Sequence, residues 1–451
     1  MEISHSSSQD QDRFGIEFTN QVHSEDIVGV EDPNTEPRQE RGDLARAPLD
    51  SVPLVPTSGP YLARWLVVFA LCPALLAFVA LTTPLVSIAG GYDSDGIHYA
   101  AMAGARIPIA IAGHEAPFGW RVLTPWLAAL LPGSFLFRFR ALGLLSNWAT
   151  LVLVYETLRS LHRSVSASLV GLLLYAGVFW TLKFSWYSPF YIDAQTQLFL
   201  ALVTFLAVRG AFPWILAILP VAALQKESAT VAGVFAVACY ARRYGWHSLV
   251  TARYAALAML GSTLPLLAVR WFVGPLPQEW SLARAFAVLL AQPSLPAKLV
   301  MSSISGLGIL VVLLSVHGKH TLRFFSAHRE WGLYASVTVL LTFGGVDKSR
   351  LFLYTLLPLT VAAVHVIDEL HLRRERWADR TWLAATLLLH LWLGWHLTPM
   401  GDTREYLLRM VPEWAAAAGW PPVEYYTHVA VALGAWVIAT VRLGWQQAST
   451  R

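Results

Sequence analysis

From residue 62 to residue 441 the chain repeats one pattern, an apolar run closed by a short polar turn, and this repetition limits its fold more than any motif does. A helix that crosses a bilayer needs about 20 mainly apolar residues, because lipid offers its backbone no hydrogen-bond partners and its side chains no water. Runs that suit this role, several of them short, lie at 62–82, 141–158, 166–184, 193–208, 211–225, 227–241, 254–273, 298–316, 331–345, 351–368, 381–398 and 425–441. The predicted fold class is all-α, a polytopic transmembrane helical bundle of about 12 spans. With 55% apolar residues, 14% charged residues and a mean hydropathy of +0.49, a soluble globular chain and a disordered one are both excluded.

Residues 1–60 break the pattern. They carry twelve acidic residues against four basic ones, with six prolines and few clustered apolar side chains. Such a stretch cannot bury enough surface to offset its ordering entropy, so it reads as a disordered acidic N-terminal tail ahead of a transmembrane domain at 61–451. It has neither the basic start nor the apolar run of a cleaved signal peptide, so the first span is expected to stay in the protein. Cys72 and Cys239 both lie in apolar runs, where a thiol acts as a small hydrophobe; no disulfide framework or thiolate metal site is expected. The Lys and Arg residues are scattered between apolar stretches and form no basic patch, so no nucleic-acid partner is expected. No nucleotide-binding loop follows a strand pattern, which argues against a nucleotide-sugar donor held by a soluble domain.

Sidedness follows from the short loops, whose Lys and Arg residues favour the cytoplasm. If the turn with Arg159 and Arg163 is cytoplasmic, strict alternation puts Arg209, Arg242, Arg243, Arg253, Lys319, Arg323, Arg329, Arg373, Arg374, Arg376, Arg380 and Arg442 on that side, together with the N-terminus. The scheme requires that the apolar stretch 120–132 does not cross. Thr124 before Pro125 reads as an N-cap with proline at the first helical position, and Pro132-Gly133 stops the helix after about two turns. With Trp120 and Trp126 this piece suits the interface plane. The competing reading, a true span there, reverses every later loop.

Under this topology the first outer loop, 83–140, opens with GGYDSDGIHYAAMAG. Asp93 and Asp95 follow span 1 directly, and Asp95-Gly96 can start a short helix that puts His98 and Tyr99 one turn later. Two acids at this spacing accept a proton from an attacking hydroxyl, orient it, or hold a divalent cation such as Mg or Mn; an ordinary solvated turn is the plain alternative. Alternation brings to the same side Trp186, Tyr187, Tyr191 and Asp193, then Lys226 and Glu227, then Asp347, Lys348 and Arg350. The runs flanking Lys226-Glu227 are short for a bilayer, so this turn is expected below the headgroups, where an ionisable group costs about 2.5–3.5 kcal/mol and needs a cavity or a partner. A mutual Lys226-Glu227 ion pair closing a hairpin is the competing reading. Arg350, Lys348 and Arg121 can neutralise a phosphate, the arginines bidentately; snorkelling anchors are the alternative. Trp186 and Tyr187 can stack on a sugar. His390 and His396 read as interior hydrogen-bonding residues.

The early acidic pair, the short helix after it and the segment PFGWRVLTPWLAALLP resemble polytopic glycosyltransferases of the GT-C fold class. The segment is also similar to the YRxLxPWL-like stretch of bacterial membrane proteins that carry an early Asp motif, with Trp120 in the aromatic place before Arg121. The resemblance covers the layout of 62–368 and is specific in the first-loop motifs. It implies short in-plane helices in the first outer loop and a multi-pass protein of the bacterial plasma membrane. The implied activity is inverting transfer of a sugar from a polyprenyl-phosphate donor to an acceptor on the extracytoplasmic side. The catalytic aspartate matches Asp93 or Asp95. Unlike the family's oligosaccharide-transferring members, the chain shows no large soluble domain after the spans. Two other functions stay open from the residues alone: a secondary transporter that uses the buried charges, and a non-catalytic lipid-binding assembly protein of the same fold.

Overall fold

The computed structural model describes residues 61–83, 94–104, 118–161, 163–274, 295–342, 348–369, 377–396 and 423–448, all within one compact unit spanning Leu49–Arg451. The acidic tail, Asp93, Asp347 and the side chains of Lys348 and His396 lie outside the described residues. All regular structure among the described residues is helical. Among the described residues three helices are long and apolar enough to cross a membrane: Tyr61–Thr82, Phe135–Ser160 and Leu249–Val273. At the standard rise they measure about 33–39 Å, against a hydrocarbon core of about 30 Å. Apolar helices at Val165–Ala176, Asp193–Val208, Phe212–Gln225 and Phe352–Ile367 are shorter.

Length and burial go together. Leu249–Val273 buries only 6% of its apolar window, with Leu257, Met259, Leu264, Leu267, Trp271 and Phe272 exposed, as suits a helix facing lipid along its length. Asp193–Val208 is the opposite case. It packs along Phe135–Ser160 and buries Gln195, Thr196, Gln197 and Thr204. Three of these four find partners inside the bundle: the Thr196 and Thr204 hydroxyls donate to the carbonyls of Ile192 (2.9 Å) and Leu200 (2.7 Å). Gln197 accepts from the Tyr175 hydroxyl (2.7 Å) and donates to the Leu353 carbonyl (3.2 Å). A helix surrounded by protein can end early, because neighbours, not lipid, meet its terminal backbone groups.

Two expected spans are broken. The run 166–184 divides into Val165–Ala176 and Leu182–Tyr187, with Gly177 ending the first piece. The run 298–316 divides into Leu295–Leu307 and Ile309–Val316 at Gly308, whose φ of 57° favours glycine. Both breaks face one side chain: a Cβ at Gly177 would come within 2.6 Å of the His390 ring, and one at Gly308 within 3.2 Å of its Nδ1. His390 is buried and its Nε2 bonds the Leu174 carbonyl at 2.8 Å, an interior hydrogen-bonding histidine as the sequence suggests. The expected cap of the in-plane helix also shifts. The helix is Leu123–Leu130 with Val122 ahead of it, so Thr124 lies within the first turn and spends its hydroxyl on Gln225 Oε1 (2.6 Å). Eight residues give about 12 Å of helix, too short to cross a bilayer.

Ion pairs tie the helix ends into two groups. Arg64–Glu156, Arg163–Asp368 and Arg242–Glu330 join one set of ends. Asp95–Arg350, Lys226–Asp193 and Arg121–Glu227 join the other. Following the chain, Asp193–Val208, Phe212–Gln225, Ala232–Tyr244, Arg329–Leu341 and Phe352–Ile367 each run from one group to the other.

Gly171 tests how tightly this bundle closes. A Cβ there would press into Leu158 and come within 2.6 Å of Val364 Cγ2, whereas one at Gly143 meets no atom within 4 Å. Gly171→Leu is expected to lose about 1–3 kcal/mol by overpacking, read as a lower melting temperature in detergent, while Gly143→Ala keeps or slightly raises it.

Candidate functional site

The second group of ion pairs is built around Asp193, the first residue of its helix, where the partial positive charge of the helix N-terminus favours a carboxylate. Its Oδ1 accepts from Lys226 Nζ at 2.9 Å and from the Tyr354 hydroxyl at 3.0 Å, and its Oδ2 lies 3.6 Å from Arg350 Nε. Arg350 Nη2 reaches on to Asp95 Oδ2 at 3.0 Å. Aromatic faces support both cations: Arg350 lies over Tyr191 (4.9 Å) and Lys226 over Tyr354 (5.3 Å). Four segments far apart in sequence therefore meet: the first-loop helix Ser94–Met102, the start of Asp193–Val208, the turn after Phe212–Gln225, and 350–354.

A second pair adjoins the first through the 225–227 turn. Lys226 takes an extended backbone (φ −169°, ψ 140°), so its side chain and that of Glu227 project to different sides. Lys226 goes to Asp193, and Glu227 takes a bidentate bond from Arg121 through Nε (3.1 Å) and Nη2. The Lys226-Glu227 pair of the sequence reading is thus two separate links and no mutual bridge. Arg121 Nη1 also donates to the Tyr99 hydroxyl at 3.0 Å, and Gln225 Nε2 donates to the Ile192 carbonyl at 3.1 Å. Burial disfavours the charge on Arg121, but Glu227 and Tyr99 outweigh it and hold the guanidinium pKa well above its ordinary value. Burial above all pushes the Tyr99 phenol up to about 12, so it stays protonated.

Of the residues singled out from the sequence, Asp95, Arg121, Asp193, Lys226, Glu227 and Arg350 come together. Where the sequence suggested cations open to a phosphate, Arg121, Lys226 and Arg350 each face a carboxylate. His98 is buried with its ring stacked on Phe118 at 4.5 Å. Tyr187 is fully buried and offers no open face for a sugar, whereas the half-buried Trp186 carries Arg140 over its ring at 4.4 Å. Tyr354 was not foreseen, since it sits in an apolar run with no motif around it. Gln195 was also missed: it is buried two residues beyond Asp193, and neither its amide nitrogen nor its amide oxygen has a protein partner.

The described residues do not suit a divalent cation. No group of three His, Cys, Asp or Glu side chains among them can hold a metal, and the Asp95 and Asp193 oxygens named above are engaged by cations and a hydroxyl. No protein-family model matches the chain, and no curated protein does so either.

Removing one partner of a buried ion pair typically costs about 3–5 kcal/mol, because the other charge is left uncompensated. Asp193→Ala strands Lys226 and Tyr354 together and is expected to fall in that range. Lys226→Met leaves Asp193 with Arg350 and Tyr354 and is expected to cost clearly less. Thermal unfolding of the two variants in the same detergent checks the order; equal losses would mean that Asp193 is not the shared anchor.

Proposed function

We propose that this protein is a membrane glycosyltransferase of the GT-C type that moves a sugar from a polyprenyl-phosphate donor to an acceptor hydroxyl at the extracytoplasmic face. The observation that carries this reading is the convergence of the first-loop Asp95 with Arg350, Asp193 and Lys226, four groups from four segments. A mere hairpin lock needs one pair. The unpaired amide of buried Gln195 adds a group whose partner must come from outside the described protein atoms.

The pairing suggests how donor and base are coupled. A lipid phosphate carries the charge that Arg350 otherwise balances with Asp95, so donor binding and the Asp95–Arg350 bond compete for one guanidinium. In the transfer step the acceptor oxygen attacks the anomeric carbon as the bond from that carbon to the phosphate oxygen breaks. The electron pair leaves with the polyprenyl phosphate, the hydroxyl proton passes to Asp93 or Asp95, and the configuration inverts. Lys226 and Arg121 add positive potential where the leaving phosphate gains charge. Asp193 holds Lys226 and Arg350 in position.

The test is transfer from a synthetic polyprenyl-phosphate hexose by the purified chain in detergent. Asp93→Asn is expected to abolish transfer without altering insertion or melting temperature. Gln195→Leu separates binding from support. Replacing an unsatisfied buried amide by an apolar group of similar size is neutral or stabilising for the fold, so unchanged or raised stability with reduced transfer is expected. Full activity in Asp93→Asn and Asp95→Asn would remove the assignment and favour a non-catalytic role.

A second reading has its own observation. Discontinuous helices that meet inside a bundle mark substrate sites in secondary transporters, and here the breaks at Gly177 and Gly308 meet at His390. Uptake into vesicles that depends on a proton gradient and is lost in His390→Leu would support transport; uptake absent from wild-type vesicles would dismiss it.

A further inference from the structure

Where the breaks at Gly177 and Gly308 meet His390, the bundle encloses a cavity of about 10 Å³. Gly177, Gly306, Gly308 and Gly394 are among its lining residues, so much of its wall is bare main chain. Val165–Ala176 and Leu295–Leu307 both end there, and the last carbonyls of a helix have no partner within it. Among the described lining residues the polar side chain is His390, carried by Trp377–His396.

The two nitrogens of that ring stand differently. The Leu174 carbonyl can only accept, so His390 Nε2 carries the proton of the 2.8 Å bond between them. Nδ1 then holds either a lone pair or, in an imidazolium, a second proton. The charged ring is disfavoured, because His390 is 1% exposed and no acid is among the described lining residues. Nδ1 is therefore an acceptor, and although fully buried it meets no donor from the protein. It calls for a neutral donor, and no counter-charge enters the argument.

Size selects that donor. About 10–15 Å³ is the least space that holds a water molecule, and the cavity offers about 10 Å³. A sugar or alcohol hydroxyl brings carbon atoms for which there is no room. We propose that this cavity is a binding site for one water molecule, which donates to His390 Nδ1 and bonds the open main chain where Val165–Ala176 and Leu295–Leu307 end. Such a water joins three helices at a point where apolar contact alone leaves buried polar atoms unmet. The inference is independent of the glycosyltransferase reading, because it uses none of the residues of the Asp193 network.

Solid-state NMR of the full chain in lipid bilayers, with histidine isotope-labelled at nitrogen, tests it. Loss of signals in His390→Gln identifies this ring; if that variant does not fold, the contact of Nε2 with an isotope-labelled Leu174 carbonyl identifies it instead. The expected result is a protonated Nε2, a bare Nδ1, and magnetisation that passes from water to Nδ1. Ala432 is buried in the cavity wall, and Ala432→Leu is expected to abolish that transfer while Nε2 stays protonated. If the leucine variant does not fold, the wild-type spectrum alone decides. A proton on Nδ1, a bare Nδ1 that receives nothing from water, or undiminished transfer in folded Ala432→Leu would each overturn the proposal.

Discussion

A charge inside an apolar bundle must be held by another charge or by a polar group, and this constraint organises the whole molecule. Each ionisable group at bilayer depth costs several kcal/mol if left alone. The chain answers by gathering its buried charges at the helix ends and bonding them across long stretches of sequence: Asp95 to Arg350 over 255 positions, Arg121 to Glu227 over 106. In lipid, where tails are as apolar as leucine, helices associate through close packing and polar contacts and not through a hydrophobic driving force. The ion pairs add their own register to that packing.

The same constraint explains why so many of the inner helices are short. Phe135–Ser160 and Leu249–Val273 run their full length because lipid cannot satisfy an early end. Val165–Ala176, Phe212–Gln225 and Ile309–Val316 stop sooner because protein surrounds their ends. The turns this frees, at 188–193, 225–231 and 350–354, carry the side chains of the Asp193 network. Short helices and a recessed polar site are two consequences of one arrangement.

Much of this was readable from residue types and spacing. The apolar runs pointed to helices, the short helix within 120–132 followed from its length and the Pro132-Gly133 stop, and the meeting of Asp95, Asp193, Lys226 and Arg350 followed from strict alternation of turns. What could not be read was pairing. Nothing in the string says that Lys226 bonds Asp193 and Glu227 bonds Arg121; this depends on the extended backbone of Lys226. Tyr354 was hidden because a hydroxyl within an apolar run looks like any core aromatic. The breaks at Gly177 and Gly308 were missed because their cause is a third residue, His390, more than 80 positions away from either.

The account depends on the two layers of paired charge lying on opposite faces of the membrane, with the Asp193 network outside. Ser134 and His247 are exposed in turns at the two ends, one beside the first-loop segments and the other beside Arg242. With Cys72 and Cys239 replaced by alanine, single cysteines at these two sites can be treated in intact cells with a membrane-impermeant maleimide. The account predicts that Ser134→Cys labels at once and His247→Cys labels only after the membrane is opened. Labelling of both from the same side would contradict it.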